Sequence, residues 1–514
     1  MTHSLPERPD MGQVKKQAKE LLRDIKNGNA QALARAGIKA GRSFALNDAQ
    51  RVIARELGFP SWAQLKQHLD AQTRIGAAEA LLGAVLGGRK RLAAALLARD
   101  PTLAASSLHI ACALGDPAAI HAFLEKDPAL AKSKGGPRKW EPLIYLCFAR
   151  AGAGDAPRAE AARLLLGAGA DPNCWRGDPA WPNARETPLY GATGLNNFPR
   201  LARVLLMAGA DPNDGESRYH AAEKNHVASL EVLKEFGTDF SSVGDAWGNT
   251  PLYFLLGWSP HMSTVRSGIL WLLDNGADPN VAAYPSAAAE TPLHLAVHGG
   301  WDCEMIQALL AHGANPAAPR RDGRTPHALA VRLGREDAAA LLGCAAAQPP
   351  IDPADAFLGA CMRGDAAAVR LKRAQYPGLV QSLDEGQRQT VLLAARAGNL
   401  EALRLMADCG MDLDVLGNDG ETAVHMAAWH GQAAVLRFLI AKGCALGVRE
   451  RRFGALPLGW VAHGSLHCHG ENGDHAGAAA ALIAAGAPLP DAFEASDAVT
   501  ALLEAARPFG GAPP

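Results

Sequence analysis

The chain has 514 residues, with 51 Lys and Arg against 52 Asp and Glu, so no global charge bias directs it to nucleic acid or acidic lipid. No apolar run reaches the ~18 residues needed to span a bilayer, and Met1-Thr2-His3-Ser4-Leu5-Pro6-Glu7 lacks the charged-then-apolar order of a secretion signal. Nine cysteines are scattered without paired spacing, and Cys112, Cys147 and Cys361 fall on apolar helix faces, as reduced core thiols do; this points to a cytoplasmic protein.

Residues 1–10 are polar and contain prolines, and are expected to be disordered. Residues 11–75 form a separate helical module. Val14, Ala18, Leu21, Leu22 and Ile25 line one face of a first helix, with Lys15, Lys16, Lys19, Arg23 and Lys26 around the other. Asn47 opens a second helix through Leu57, closed by Gly58, and Ser61 caps a third, with Gln64 placed for a capping box. Phe59, Trp62, Leu65 and Leu69 close a small core. The module carries 12 Lys and Arg against 5 Asp and Glu, and Ile53–Phe59 has the Ala and Gly placing of a DNA-reading helix-turn-helix. Pro60 and Trp62 stand where a reading helix begins with small polar residues, so a solvated basic face is preferred. Nucleic-acid binding through residues 11–75 is kept as the alternative.

From Gly76 a repeat takes over. Its clearest copy starts Glu290-Thr291-Pro292-Leu293-His294-Leu295-Ala296, passes through His312-Gly313-Ala314-Asn315-Pro316, and restarts at Thr325-Pro326-His327, 34 residues after Thr291. Thr caps a helix start, Pro fits its first position, and Gly leaves the second helix in a left-handed turn. The opening recurs at Thr187-Pro188-Leu189-Tyr190, Thr250-Pro251-Leu252-Tyr253 and, loosely, Thr422-Ala423-Val424-His425. The ending recurs at Gly169-Ala170-Asp171-Pro172-Asn173, Gly209-Ala210-Asp211-Pro212-Asn213 and Gly276-Ala277-Asp278-Pro279-Asn280. These motifs and their period of ~33 resemble the ankyrin repeats. The resemblance implies an all-α ankyrin-repeat solenoid of about a dozen helix-turn-helix units in two blocks, preceded by the small N-terminal bundle. Asp48-Ala49-Gln50, Gly58-Phe59-Pro60-Ser61-Trp62 and Leu65-Lys66 look like the module that precedes such arrays in many bacterial proteins.

The first block spans 76–346 and begins with divergent units ending in Asp100-Pro101 and Asp127-Pro128. Insertions stretch it: Ala151–Pro157 between paired helices, Cys174–Ala184 with Trp175 and Trp181 as an inter-repeat loop, Gly257–Thr264 with Trp258, and Ala282–Ala289 around Tyr284. Insertions in solenoids gather on one face, often the binding face. Residues 347–354 hold Pro349-Pro350 and Pro353, which cannot continue a helix and make a linker or kink. The second block, 355–507, closes with a capping helix over Ala492–Ala506, and 508–514 is a tail.

No site of chemistry is expected. His463, His467, Cys468, His469 and His475 are metal-capable, but neighbours in so tight a run rarely reach tetrahedral geometry together, so no metal and no cofactor is assigned. The Gly-rich Ala151–Asp155 lacks a phosphate loop's Lys-Ser/Thr ending, and Gly464-Ser465 is not framed as a nucleophile elbow. The resemblance makes His294 and His425 structural, bonding backbone between repeats. The expectation is a non-enzymatic scaffold, a monomer, that binds a partner protein along the concave face and inter-repeat loops. The resemblance places the two residues before each mid-repeat Gly in that face, among them Glu223-Lys224, Arg332-Leu333, Arg396-Ala397 and Trp429-His430. Aromatic side chains dominate binding hot spots, and the candidate contact residues are Trp175, Trp181, Trp247, Trp258, Trp301, Trp429 and His430.

Overall fold

The computed structural model describes residues 11–38, 44–178, 181–244, 248–257, 263–282, 289–468 and 473–507. The expectations for residues 1–10 and 508–514, for Tyr284, Trp247, Trp258 and His469, concern residues outside these ranges. Contacts divide the chain into two compact units, Met1–His220 with Ala228–Thr238, and Ala221–Val227 with Asp239–Pro514. No described helix is long and apolar enough to cross a membrane.

The first unit opens with helices Met11–Lys26, Ala30–Ala36, Leu46–Glu56 and Trp62–Leu86. Val14, Ala18, Leu21 and Ile25 share one face of the first helix and meet Ala49, Ile53, Ala54, Leu65 and Leu69 in a small core, against which Phe59 and Trp62 pack. The Ala30–Ala36 helix was not legible as a separate element. Asn29 starts it, its Oδ1 accepting the N–H groups of Gln31 and Ala32 at 3.0 and 3.1 Å. Ser61 Oγ accepts the Gln64 N–H at 3.2 Å, and the helix it caps runs through Gly76 to Leu86. Asp100 and Asp127 turn out to begin one-turn 3-10 helices. Each Oδ1 accepts an N–H two residues on at 3.0 Å, while Pro101 and Pro128 take the first helical position.

Paired helices follow, with Leu108–Leu114 against Pro142–Phe148, and Pro117–Lys126, Asp155–Gly167 and Pro199–Met207 stacked in turn. Between the pairs, the Cys174–Ala184 insertion is an antiparallel hairpin in place of the expected loop. Arg176–Asp178 pairs with Trp181–Glu186, Arg176 lying opposite Glu186. The other insertion in this unit is fastened from inside by Arg158, which is fully buried. Its Nε donates to Ala153 O at 2.8 Å, Nη2 to Ala151 O at 2.7 Å and Ala113 O at 3.1 Å, and Nη1 to Leu146 O. Burial holds this guanidinium down at about 10 and pushes the neighbouring Cys147 thiol up to about 12.

The second unit repeats one plan. Pro251–Leu256 pairs with Ser263–Asp274, Pro292–His298 with Cys303–Ala311, Pro326–Arg332 with Glu336–Ala345, and Pro353–Met362 with Ala366–Gln375. Thr390–Arg396 with Leu400–Asp408, Ala423–Trp429 with Ala433–Ala441, and Pro457–His467 with His475–Ala484 continue it, and Asp497–Ala505 packs last. Thr250 and Thr325 cap their helices through Oγ1, accepting from Tyr253 N at 3.2 Å and Ala328 N at 3.3 Å. One apolar cluster runs from Ala354 to Leu503.

His294 ties adjacent repeats together. Its Nδ1 accepts the Thr291 N–H at 3.3 Å, which leaves the proton on Nε2 for Arg324 O, 3.1 Å away. His425 does the same with Thr422 N and Ala455 O, at 3.2 and 3.4 Å. Burial holds His294 down at about 4, and His425 is lowered for the same reason.

The stretch around Pro349-Pro350 is stitched to its surroundings. Thr325 Oγ1 donates to Gln348 Oε1 at 2.9 Å, and Gln348 Nε2 donates to Pro316 O and Leu342 O at 3.3 Å each. Beyond it, the helix Pro353–Met362 lies so close on Pro326–Arg332 that a Cβ at Gly359 would overlap the Val331 carbonyl oxygen.

Candidate interaction surface

The aromatic residues singled out from sequence scatter in the structure. Trp175 stands on the hairpin, 52% exposed, with the Arg185 guanidinium 5.3 Å from its ring centroid. Trp181 lies in the second hairpin strand, and its side chain is outside the described set. Trp301 is a correction: it is completely buried and offers no surface, its Nε1 donating to Leu256 O at 2.9 Å. Trp429 and His430 are half-buried. The Trp429 ring packs edge-on against Trp460 with centroids 5.8 Å apart and tilts against His463 at 5.4 Å.

A more orderly arrangement comes from the repeat itself. The first helices of successive pairs end at His298, Arg332, Met362, Arg396 and Trp429. In each case a left-handed glycine follows two residues later, at φ 79, 69, 72, 69 and 62° for Gly300, Gly334, Gly364, Gly398 and Gly431. The five side chains therefore hold one register position on a row of neighbouring helices. This row belongs to the second unit.

Its electrostatics are uneven. Arg332 is 2% exposed, and its Nε donates to Asp355 Oδ1 at 2.7 Å. Asp355 also accepts from Arg324 Nε at 2.7 Å and Gln387 Nε2 at 3.0 Å, so its one charge is divided between two guanidinium groups. Arg320 and Arg324 are held by Glu290, Asp322 and Asp384 as well. Arg396 is half-buried, and burial lowers its pKa; Cys468 acts the other way, and among the described residues no carboxylate pairs with it. The His298 ring is pushed down first by burial; Glu290 acts the other way, and the guanidinium groups of Arg396, Arg320 and Arg332 reinforce the fall.

Residues 261–352 and 357–450 match the family model described as ankyrin repeats in three copies. This stretch of the chain carries ankyrin repeats. Protein PhlB of Serratia liquefaciens is 32% identical over 105 residues, 20% of this chain and 44% of that protein. Human SH3 and multiple ankyrin repeat domains protein 2 is 28% identical over 176 residues, 34% of this chain and 9% of that protein. The chain thus spans less than half the length of either curated relative. Among solved structures, the human ASB11 ankyrin repeat domain aligns at 21% identity and TM-score 0.35, covering 48% of this chain and 100% of that one. The ankyrin repeat domain of Bcl-3 aligns at 22% identity and TM-score 0.35, covering 43% of this chain and 92% of that one.

The last ankyrin repeat holds the histidine cluster. His463 and His467 stack at 4.2 Å, Cys468 Sγ lies 3.4 Å from His430 Nδ1, and His475 Nε2 donates to Trp429 O at 2.9 Å. Among the described residues no three His, Cys, Asp or Glu side chains converge on a metal position. Burial, then Arg396 and His475, hold His430 down at about 4. Ser465 is tied into backbone, donating to Ala462 O at 2.6 Å and accepting from Ser496 N at 2.9 Å. In the N-terminal module Lys15, Lys16 and Lys19 are exposed, whereas Trp62 is half-buried and packs onto the core.

Proposed function

We propose that the protein is a non-enzymatic scaffold, monomeric and cytoplasmic, whose ankyrin repeats hold a partner protein. In the second unit the contact surface is the row from His298 to Trp429; in the first, taken separately, it is the Trp175 hairpin. The observation that carries this reading is the common register of the row. Every repeat from Pro292 to Trp429 ends its first helix at the same place, so the stacked repeats present their last residues side by side. Of these, the half-buried Arg396 and Trp429 are an arginine and an aromatic, types that concentrate binding energy, whereas Arg332 is buried. Nine free cysteines, most of them buried, suit a reducing compartment.

Pull-down from source lysate with full-length protein, compared with Trp429→Ala and Trp175→Ala, tests this. Loss of a hot-spot aromatic is expected to cut partner recovery about tenfold or more, since such truncations cost ~2 kcal/mol. Unchanged recovery with both variants removes this surface from consideration.

A further inference from the structure

We infer that the His298–Arg332–Arg396 part of the row is a carboxylate-recognition site, occupied by an acidic segment of the partner protein that lays one Asp or Glu side chain against Arg396. This deepens the scaffold reading and rests on it.

The first ground is a deficit of acceptors. Arg332 is buried to within 2%, yet its Nη2 has no hydrogen-bond partner, while Nη1 reaches only Gly386 O at 3.4 Å. His298 Nε2 is also buried without a partner, its Nδ1 lying 4.0 Å from Glu290 Oε1. Buried polar groups are mostly satisfied, and these two open positions belong to the row on neighbouring repeats. The second ground is charge. Among the described residues, no carboxylate pairs with Arg396 and no acceptor takes a hydrogen bond from its guanidinium. Glu290, Asp322, Asp352 and Asp384 are engaged instead with Arg320 and Arg324. Asp355 is already shared between Arg324 and Arg332. Within the row, Arg396 is therefore the cation that no carboxylate of the described residues answers, while Arg332 shares Asp355 with Arg324.

The third ground is shape. A guanidinium presents a planar fork that matches a carboxylate, and a carboxylate can accept several donors at once. Arg396 is half-buried, two repeats on from Arg332 in the row. Met362 and Trp429 hold the same register position in the repeats before and after Arg396, so the flanking positions of the row are apolar and aromatic. That setting fits a peptide segment better than a free ion.

The test uses full-length protein, fluorescein-labelled hexaglutamate as the probe, and fluorescence anisotropy at low ionic strength. Arg396→Gln is expected to weaken hexaglutamate binding about tenfold. Arg404→Gln, which alters an exposed arginine already 3.7 Å from Glu401, is expected to leave it unchanged. In an NMR titration, bound hexaglutamate is expected to move the His298 ring pKa upward, because the new carboxylate acts as Glu290 does. Equal affinity of wild type and Arg396→Gln would overturn the proposal. So would hexaglutamine binding as tightly as hexaglutamate, or inorganic phosphate displacing the peptide at matched charge. The scaffold reading fails separately: recovery of a lysate partner that falls with Trp429→Ala but persists with Arg396→Gln keeps the scaffold and discards the carboxylate site.

Discussion

Arg158 in the first unit and Arg332 in the second are both buried arginines, and they are used in opposite ways. Among the described residues Arg158 has no carboxylate paired with it, but four backbone carbonyls take its hydrogen bonds and close the insertion after Ala149 around it. Arg332 has a carboxylate, shared with Arg324, and still keeps one nitrogen unbonded. Burial alone therefore does not mark a functional cation. A cation whose donors are spent on its own backbone holds the fold; one with donors to spare faces something else.

The largest expected effect tests the first half of that contrast. Arg158→Met removes the charge but strands the carbonyls of Ala113, Leu146, Ala151 and Ala153, and is expected to cost about 3–5 kcal/mol. Hydrogen exchange of the helices Leu108–Leu114 and Pro142–Phe148 would report it as local loss of protection; undiminished protection would end the structural role. Acid probes the second unit next. His294 is neutral when folded, with its pKa at about 4 against an ordinary 6.5, so the unfolded chain binds the extra proton. Its contribution is present above pH ~6.5 and is lost as pH falls toward ~4, by up to ~1.4 kcal/mol per pH unit. His294→Gln should flatten that part of the stability-against-pH curve, and an unchanged slope would contradict the assignment.

Arg332→Met should cost less than Arg158→Met, about 1–2 kcal/mol, because Asp355 keeps Arg324 and Gln387. A loss as large as that of Arg158→Met in urea unfolding would show the two arginines to be equivalent. The smallest effect is the sharpest: Arg396→Gln breaks no bond seen within the described residues and should change stability by no more than about 0.5 kcal/mol. A larger loss would mean the side chain is part of the framework after all.

Much of the framework was readable from residues close in sequence. Thr325-Pro326 caps and starts a helix through atoms within three positions, and Gly300 and Gly334 announce their left-handed turns by their lack of a side chain. The bonding of His294 and His425 to the following repeat also follows the expected pattern, because the repeat fixes the partner at a constant separation. What escaped depended on distant partners. Trp301 looked like a surface residue after two glycines, but the carbonyl that accepts its indole N–H belongs to Leu256, 45 positions earlier. Nothing near Arg158 in sequence marks it as buried, since its acceptor at Ala113 lies 45 positions earlier. The 176–186 hairpin lacks alternating apolar residues, so no strand period announced it. Gly76 suggested a boundary, yet Leu81, Leu82 and Val85 bury the far end of the same helix and hold it together.

The row also differs from the candidate residues chosen by aromatic content. Arg396, rather than Trp301, is where the surface has unused bonding capacity. The clue in the sequence was positional: Arg396 occupies the same place before its glycine as Arg332 and Trp429.

That shared place has a consequence for how such a protein can change. The residues that open each first helix and the glycine that ends its turn are different from the one displayed. A single codon can thus rewrite one letter of the displayed message while the supporting grammar stays intact, and new recognition can arise by spelling changes at His298, Met362, Arg396 or Trp429. Arg332 is the costlier letter, since Asp355 reads it from within.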